Sequence, residues 1–181
     1  MSALRARVTD PERLRHAIAV EAIMRELALA TGGNDTEWGL AGLLHDIDLA
    51  DTRADPSQHG VVGARLLAKL GFSEAVVRAV EAHDDAAGLP RTTPIAHALY
   101  CADRAYWAVH SSGLRFPSSE AATATLASVV EGLARRGASS RIDARLETAC
   151  AGIGLTLDDV LRLCLRAMRA LGADGQRAEG N

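Results

Sequence analysis

Apolar residues recur three and four positions apart along almost every segment of this chain, and no stretch alternates apolar with polar residues as a half-buried strand does. That spacing commits the chain to helices whose apolar stripes bury one another, so the expected fold is all-α. Local signals place the helix ends. "TDPE" at residues 9–12 offers a cap at Thr9 or Asp10, a proline for the first turn and a glutamate at the capping-box position. This first helix is expected to run to about Ala30 and stop at Gly32-Gly33. A second begins at Asn34 to Thr36 and reaches His45-Asp46, followed by the loop "DIDLADTRADPSQ". A third spans His59 to Leu70, a fourth opens at Ser73-Glu74 and ends near His83, and a fifth runs from Pro94 to about His110. Three more patterns cover 119–136, 140–151 and 157–171, the last with Thr156 as cap and Asp159 three residues on.

With 181 residues and 48% hydrophobic content, the chain can bury one sizeable core. The expectation is a single domain over 1–171 with a frayed tail at 172–181. Nineteen of the twenty basic residues are arginine, yet the net charge is −3, which argues against a binder of nucleic-acid polymers. No secretory signal and no apolar run of membrane-spanning length are visible, so a cytoplasmic, membrane-free location is expected. Cys101, Cys150 and Cys164 are odd in number and widely spaced, and read as small buried side chains rather than disulfides or zinc ligands.

Helical geometry sorts the polar residues. At about 100° per residue from His16, Val20 falls near about +40°, Ile23 near about −20° and Leu27 near about +20°. His16 therefore points along the buried stripe. Asp103 likewise shares its face with Ala96, Leu99, Tyr100, Trp107 and His110, with no lysine or arginine on that stripe. An inward carboxylate needs a cation, and a metal ion would supply one. His45-Asp46 closes the apolar run "WGLAGLL", His59 precedes Val62, Leu66 and Leu70 at helical spacings, and His83 follows Val76, Val77 and Val80. A lone inward histidine is most often a hydrogen-bonded core residue, and the His-Asp pair recurs at His83-Asp84. The signal is the combination. Imidazole nitrogen with carboxylate oxygen suits iron, manganese, zinc or nickel.

The ordered set His16, His45-Asp46, His59, His83, Asp103 resembles the HD superfamily of metal-dependent phosphohydrolases, in its subset that holds two metals. The resemblance covers about residues 10–112; the helices over 119–171 carry no motif of the family. It implies a helical bundle in which His16, His45, Asp46 and Asp103 bind one ion, His59 and His83 bind a second, and Asp46 bridges them. The implied cofactor is a pair of divalent transition ions, iron or manganese first, with zinc, nickel or cobalt possible. The implied reaction is hydrolysis of a small phosphoester, a nucleotide or phosphorylated metabolite, by metal-activated water. Many members read His-Asp-Ile-Gly-Lys; here Asp48 and Leu49 stand in the last two positions, so the lysine cation is missing. The second signature of the cyclic-dinucleotide phosphodiesterase branch is also absent.

Asp48 is assigned a proton-shuttling, catalytic role against the commoner alternative of a helix-end hydrogen-bonding residue. Arg53, Arg91 and Arg104 read as solvated surface residues that could instead grip phosphate, Asp84 and Asp85 as loop caps, and His97 as partly exposed. His110 shares the Asp103 face two turns on and reads as a core residue that could line a pocket. Two other functions fit the same ligands: a di-iron oxygenase cleaving a C–H or C–P bond, and a ligand-binding module without turnover. The stripe Leu157, Leu161, Cys164, Met168, Leu171 packs within the chain or forms a homodimer interface.

Overall fold

The structure, a computed structural model, describes residues 10–114 and 123–179, with side chains to residue 172. Asp10 opens α1 (Pro11–Thr31): its carboxylate accepts the Glu12 N–H at 2.9 Å, and Pro11 sits where a backbone donor is least missed. Glu12 is thus the donor to the cap, and the alternative cap Thr9 lies outside the described residues. The helix ends at Gly32, whose φ of 76° is the left-handed turn that favours glycine. Asn34 caps α2 (Asp35–Leu44) by accepting the Glu37 N–H at 3.0 Å.

The third helix starts later than the periodicity suggests. A 3-10 turn at Pro56–Gln58 precedes an extended His59 and Gly60 at φ 79°, so α3 covers Val61–Lys69 and His59 stays outside it. Ser73 caps α4 (Glu74–Glu81), and Thr93 caps α5 (Pro94–Ser111). The intervening loop contains a 3-10 turn at Asp85–Ala87, where Asp84 accepts the Ala86 N–H at 2.7 Å. Thr125 and Ser128 exchange capping bonds at the start of α6 (Leu126–Arg135); the expected start at 119 falls outside the described residues. Asp143 caps α7 (Ala144–Ala151), displacing its start from 140 because Ser139–Arg141 form a 3-10 turn.

The last helix, α8 (Leu157–Glu179), opens with the expected pair: Thr156 and Asp159 each donate a backbone N–H to the other's side chain. It does not stop at Leu171. The segment expected to fray from 172 is helical through Glu179, because it holds no proline and its Ala, Gln, Arg and Glu residues favour the helix enough to carry Gly172 and Gly175.

Helix α1 packs on α2, α5 and α8, while α5 also meets α4, α6 and α7. Val20, Ile23, Leu27, Leu99, Cys101, Leu161 and Cys164 are completely buried in one continuous cluster that extends from α1 to α8. The α8 stripe is therefore covered by its own chain at Leu161, Cys164 and Met168. Cys101 and Cys150 touch at 3.7 Å between sulfurs as buried free thiols. No helix among the described residues is long and apolar enough to cross a membrane. Gly42 decides how closely α1 and α2 approach: a Cβ there would lie 2.8 Å from the Val20 carbonyl oxygen. This contact sets His16 of α1 beside the end of α2.

Candidate metal centre

Four imidazoles and two carboxylates from these helices and the segments between them converge in one place. His16 sits on the buried face of α1, His45 caps α2, and Asp46 enters the following turns. His59 comes from the extended residue before Gly60, His83 from just beyond α4, and Asp103 from the middle of α5. His16 Nε2 lies 3.1 Å from His45 Nε2, 3.2 Å from Asp103 Oδ1 and 3.7 Å from Asp46 Oδ2. Asp46 Oδ1 lies 3.4 Å from His45 Nε2, 3.1 Å from His59 Nε2 and 3.7 Å from His83 Nε2. Asp103 Oδ1 is also 3.8 Å from His45 Nε2. The structure thus brings all six residues singled out in the sequence into one cluster, with Asp46 shared between its halves.

The opposite ring nitrogens explain why the Nε2 atoms face inward. His45 Nδ1–H donates to the Gly42 carbonyl at 2.7 Å, and His83 Nδ1–H donates to the Val80 carbonyl at 2.8 Å. His59 Nδ1–H donates to Asp48 Oδ1 at 2.8 Å. A carbonyl only accepts, so Nδ1 carries a proton in His45 and His83, and their Nε2 atoms are aimed into the cluster. His16 Nδ1 is buried without a hydrogen-bond partner among the described residues.

These residues fit a divalent ion. Two groups, His16-His45-Asp46 and Asp46-His59-His83, each place three ligand atoms close enough to hold one. Two nitrogens on a tetrahedral ion at about 2.05 Å would be about 3.3 Å apart, close to the 3.1 Å between His16 and His45 Nε2. The imidazoles are buried, whereas the side chains of Asp46 and Asp103 remain 19% and 22% exposed, so the cluster opens to solvent on its carboxylate side.

The electrostatics are those of a site short of cations. Burial works against the ionised Asp46 carboxyl, yet His45, His59 and His83 hold it well below the usual carboxylate range. Asp103 is also lowered: burial opposes ionisation, and His16 and His45 outweigh it against repulsion from Asp46. Burial pushes His45 down, favouring the neutral ligand form. His59 is pushed up to about 10, because its bonds to Asp46 and Asp48 overcome the burial that disfavours its charge. His83 is raised in the same way, against burial, by Asp46.

Asp48 stands next to His59. It is completely buried, with Oδ1 accepting from His59 and Oδ2 accepting the Gly63 N–H at 2.7 Å. Both oxygens are engaged, one by His59 and the other by the Gly63 N–H, so in this geometry Asp48 orients the His59 imidazole. Asp85 does more than cap a loop. Its carboxylate meets Arg91 and Arg104 at 2.9 Å, Arg145 at 3.2 Å and the Tyr100 hydroxyl at 3.1 Å. Arg91 and Arg104 are therefore held in this knot instead of being freely solvated, and Arg91 also lies 3.9 Å above the Tyr100 ring. Arg53 is exposed, and His97 and His110 stay outside the cluster. The i,i+4 spacing of Tyr100 and Arg104 and the six positions between Asp85 and Arg91 are local, but Arg104 lies 19 positions from Asp85 and Arg145 comes from another helix.

An all-helical chain that gathers this ordered histidine and aspartate set defines the HD domain class. The chain belongs to that family: the HD domain model matches residues 13–107, more than half of the 181 residues. Among similar proteins, ribonuclease Y of Lawsonia intracellularis is 37% identical over 79 residues, covering 44% of this chain and 15% of that protein. An uncharacterised protein of Methanocaldococcus jannaschii is 40% identical over 75 residues, covering 39% of this chain and 43% of its own length. Ribonuclease Y of Oleidesulfovibrio alaskensis is 31% identical over 90 residues, half of this chain and 17% of that protein. The chain thus spans less than half the length of each of these relatives. At the family level it is a hydrolase with residues that could hold divalent metal.

Proposed function

We propose that the protein is a metal-dependent phosphohydrolase acting on a small phosphoester, a nucleotide or phosphorylated metabolite. Two divalent transition ions, iron or manganese first, are held by His16, His45, Asp46 and Asp103 on one side and by Asp46, His59 and His83 on the other. The observation that carries this reading is the position of Asp46, with one oxygen within 3.7 Å of three imidazoles and the other at that distance from a fourth. When bound, such ions acidify water and neutralise charge on phosphoryl oxygens. The chain's own contribution is to orient the ligands. The Gly42 and Val80 carbonyls and Asp48 fix three of the imidazoles, and the exposed edges of Asp46 and Asp103 leave a path for a phosphoryl group. Two of the relatives are named ribonucleases, and RNA is joined through phosphoesters, which supports that broad class of bond as the target here.

The test is metal analysis of the isolated protein together with a panel of nucleotides and phosphomonoesters. Release of phosphate that depends on added metal and disappears with chelator is expected. Iron loading with oxygen consumption and no phosphoester turnover would replace this reading with the oxidative one. Metal loading without any turnover would leave a binding module. His45→Ala and Asp46→Ala should abolish loading of both ions, whereas His59→Ala should spare the first. Equal metal content in wild type and Asp46→Ala would contradict the bridge.

A further inference from the structure

Aromatic residues are scarce in this chain, 3% in all, yet two of its six Phe, Trp and Tyr residues stand side by side next to the metal cluster. Trp107 follows Asp103 by one turn of α5, about 6 Å along the axis, and Asp103 forms part of the open side of the cluster. Its indole lies 5.1 Å from the His16 ring between centroids, 5.3 Å from Tyr106 and 5.5 Å from His110, crossing the last two nearly edge-on at 83° and 80°. Tyr106 in turn stacks on His110 at 5.9 Å and 19°. Held by three rings, Trp107 nevertheless keeps 36% of its surface exposed, while the other tryptophan, Trp38, keeps 6%.

A large apolar ring left in water beside a phosphoryl-binding site has a chemical use. We propose that the substrate is a nucleotide whose base stacks on Trp107 while its phosphate lies at the Asp46 and Asp103 side of the cluster. The proposal rests on the phosphohydrolase reading above and narrows its substrate class. One helical turn separates Asp103 from Trp107, matching the way a ribose separates the phosphate of a nucleotide from its base. The contacts with His16, Tyr106 and His110 fix the indole plane beforehand, so little side-chain freedom is lost on binding. Every base offers a π-face, so this surface selects nucleotides over base-free phosphoesters and discriminates weakly among the bases.

The experiment is equilibrium binding to manganese-loaded protein, using the non-hydrolysable methylenephosphonate analogue of adenosine 5′-monophosphate, adenosine, and inorganic phosphate. The analogue and adenosine should quench tryptophan emission, and the buried Trp38 makes that signal report on Trp107. Trp107→Ala should weaken the analogue by about 10- to 100-fold and leave inorganic phosphate unchanged; Trp107→Phe, which keeps a ring, should retain most of the affinity. Analogue binding that is unaffected by Trp107→Ala overturns the proposal and leaves the phosphohydrolase reading standing, as does an effect of that variant on oligomeric state alone. Failure of inorganic phosphate to bind the loaded protein counts against the phosphohydrolase reading itself. In that case the absence of quenching by adenosine overturns the stacking surface as well. Should Trp107→Ala not fold, the wild-type quenching and the Phe variant decide the matter.

Discussion

His59 is held between two carboxylates, with Nδ1 on Asp48 at 2.8 Å and Nε2 on Asp46 at 3.1 Å. Two consequences belong to this residue pair. Asp48→Asn keeps the shape but weakens the acceptor for His59, so metal affinity should fall by about 10- to 100-fold. Turnover at saturating metal should change much less, a split that metal titration and steady-state kinetics would resolve; a collapse of kcat at full metal loading would assign Asp48 a catalytic role. The second consequence concerns pH. His59 is pushed up to about 10 in the metal-free protein, above its ordinary 6.5. A raised value means the folded state binds the proton more tightly than the unfolded chain does. The associated stabilisation is full below about pH 6.5 and is lost as pH climbs through about 10. Urea unfolding of chelator-treated protein should show stability declining over that window, and His59→Gln should flatten the slope. Metal competes with the same proton, so loading near pH 7 should release protons into the buffer.

At the scale of elements, the site depends on how closely helices approach and on how they end. The α1 and α2 backbones meet at Gly42, and the carbonyl of that residue also anchors His45. A methyl group there would press on the Val20 carbonyl at 2.8 Å, backbone that cannot swing aside as a side chain can. Gly42→Ala should therefore cost about 1–3 kcal/mol in chemical denaturation and lower metal content, because the shift moves His16 and His45 apart. Helix ends matter as much. Gly60, at φ 79°, has the Val80 and Glu81 carbonyls where a Cβ would go, which ties the His59 segment to the end of α4 that supplies His83. The Asp85 knot fastens the next loop to α5 and α7 through Tyr100, Arg104 and Arg145.

For the whole molecule, the six residues of the candidate centre come from α1, the end of α2, the turns and loop that follow it, the end of α4, and α5, so an ion held there would tie α1, α2, α4 and α5 together. An ion that binds only the folded state, present at 100 times its dissociation constant, adds about 2.7 kcal/mol. For a chain of this size each kcal/mol raises Tm by about 2–4 °C. Calorimetry with manganese and then with excess chelator should show a shift of about 5–10 °C for one ion, and Asp46→Ala should show almost none. An unchanged Tm on chelation would mean that no ion had contributed to the fold.

What the sequence determined alone was set by short-range geometry. The 3.6-residue period placed His16 and Asp103 inward, and Asp10, Asn34, Ser73 and Thr156 marked helix starts, because a cap acts on donors within three residues of itself. Where several local options competed, prediction slipped. The phase of Val62, Leu66 and Leu70 carries the third helix back to His59, but Gly60 at φ 79° interrupts that phase, and the last helix continues through the glycine at which its apolar pattern ends. The place of Asp46 between two sets of imidazoles is already implied by the family resemblance, but only the tertiary structure decided which way Asp48 turns and that three arginines share Asp85. Those partners lie up to 60 positions apart, as Arg145 does from Asp85. Their meeting is governed by helix packing around the α1–α2 contact and α5, which no local period encodes.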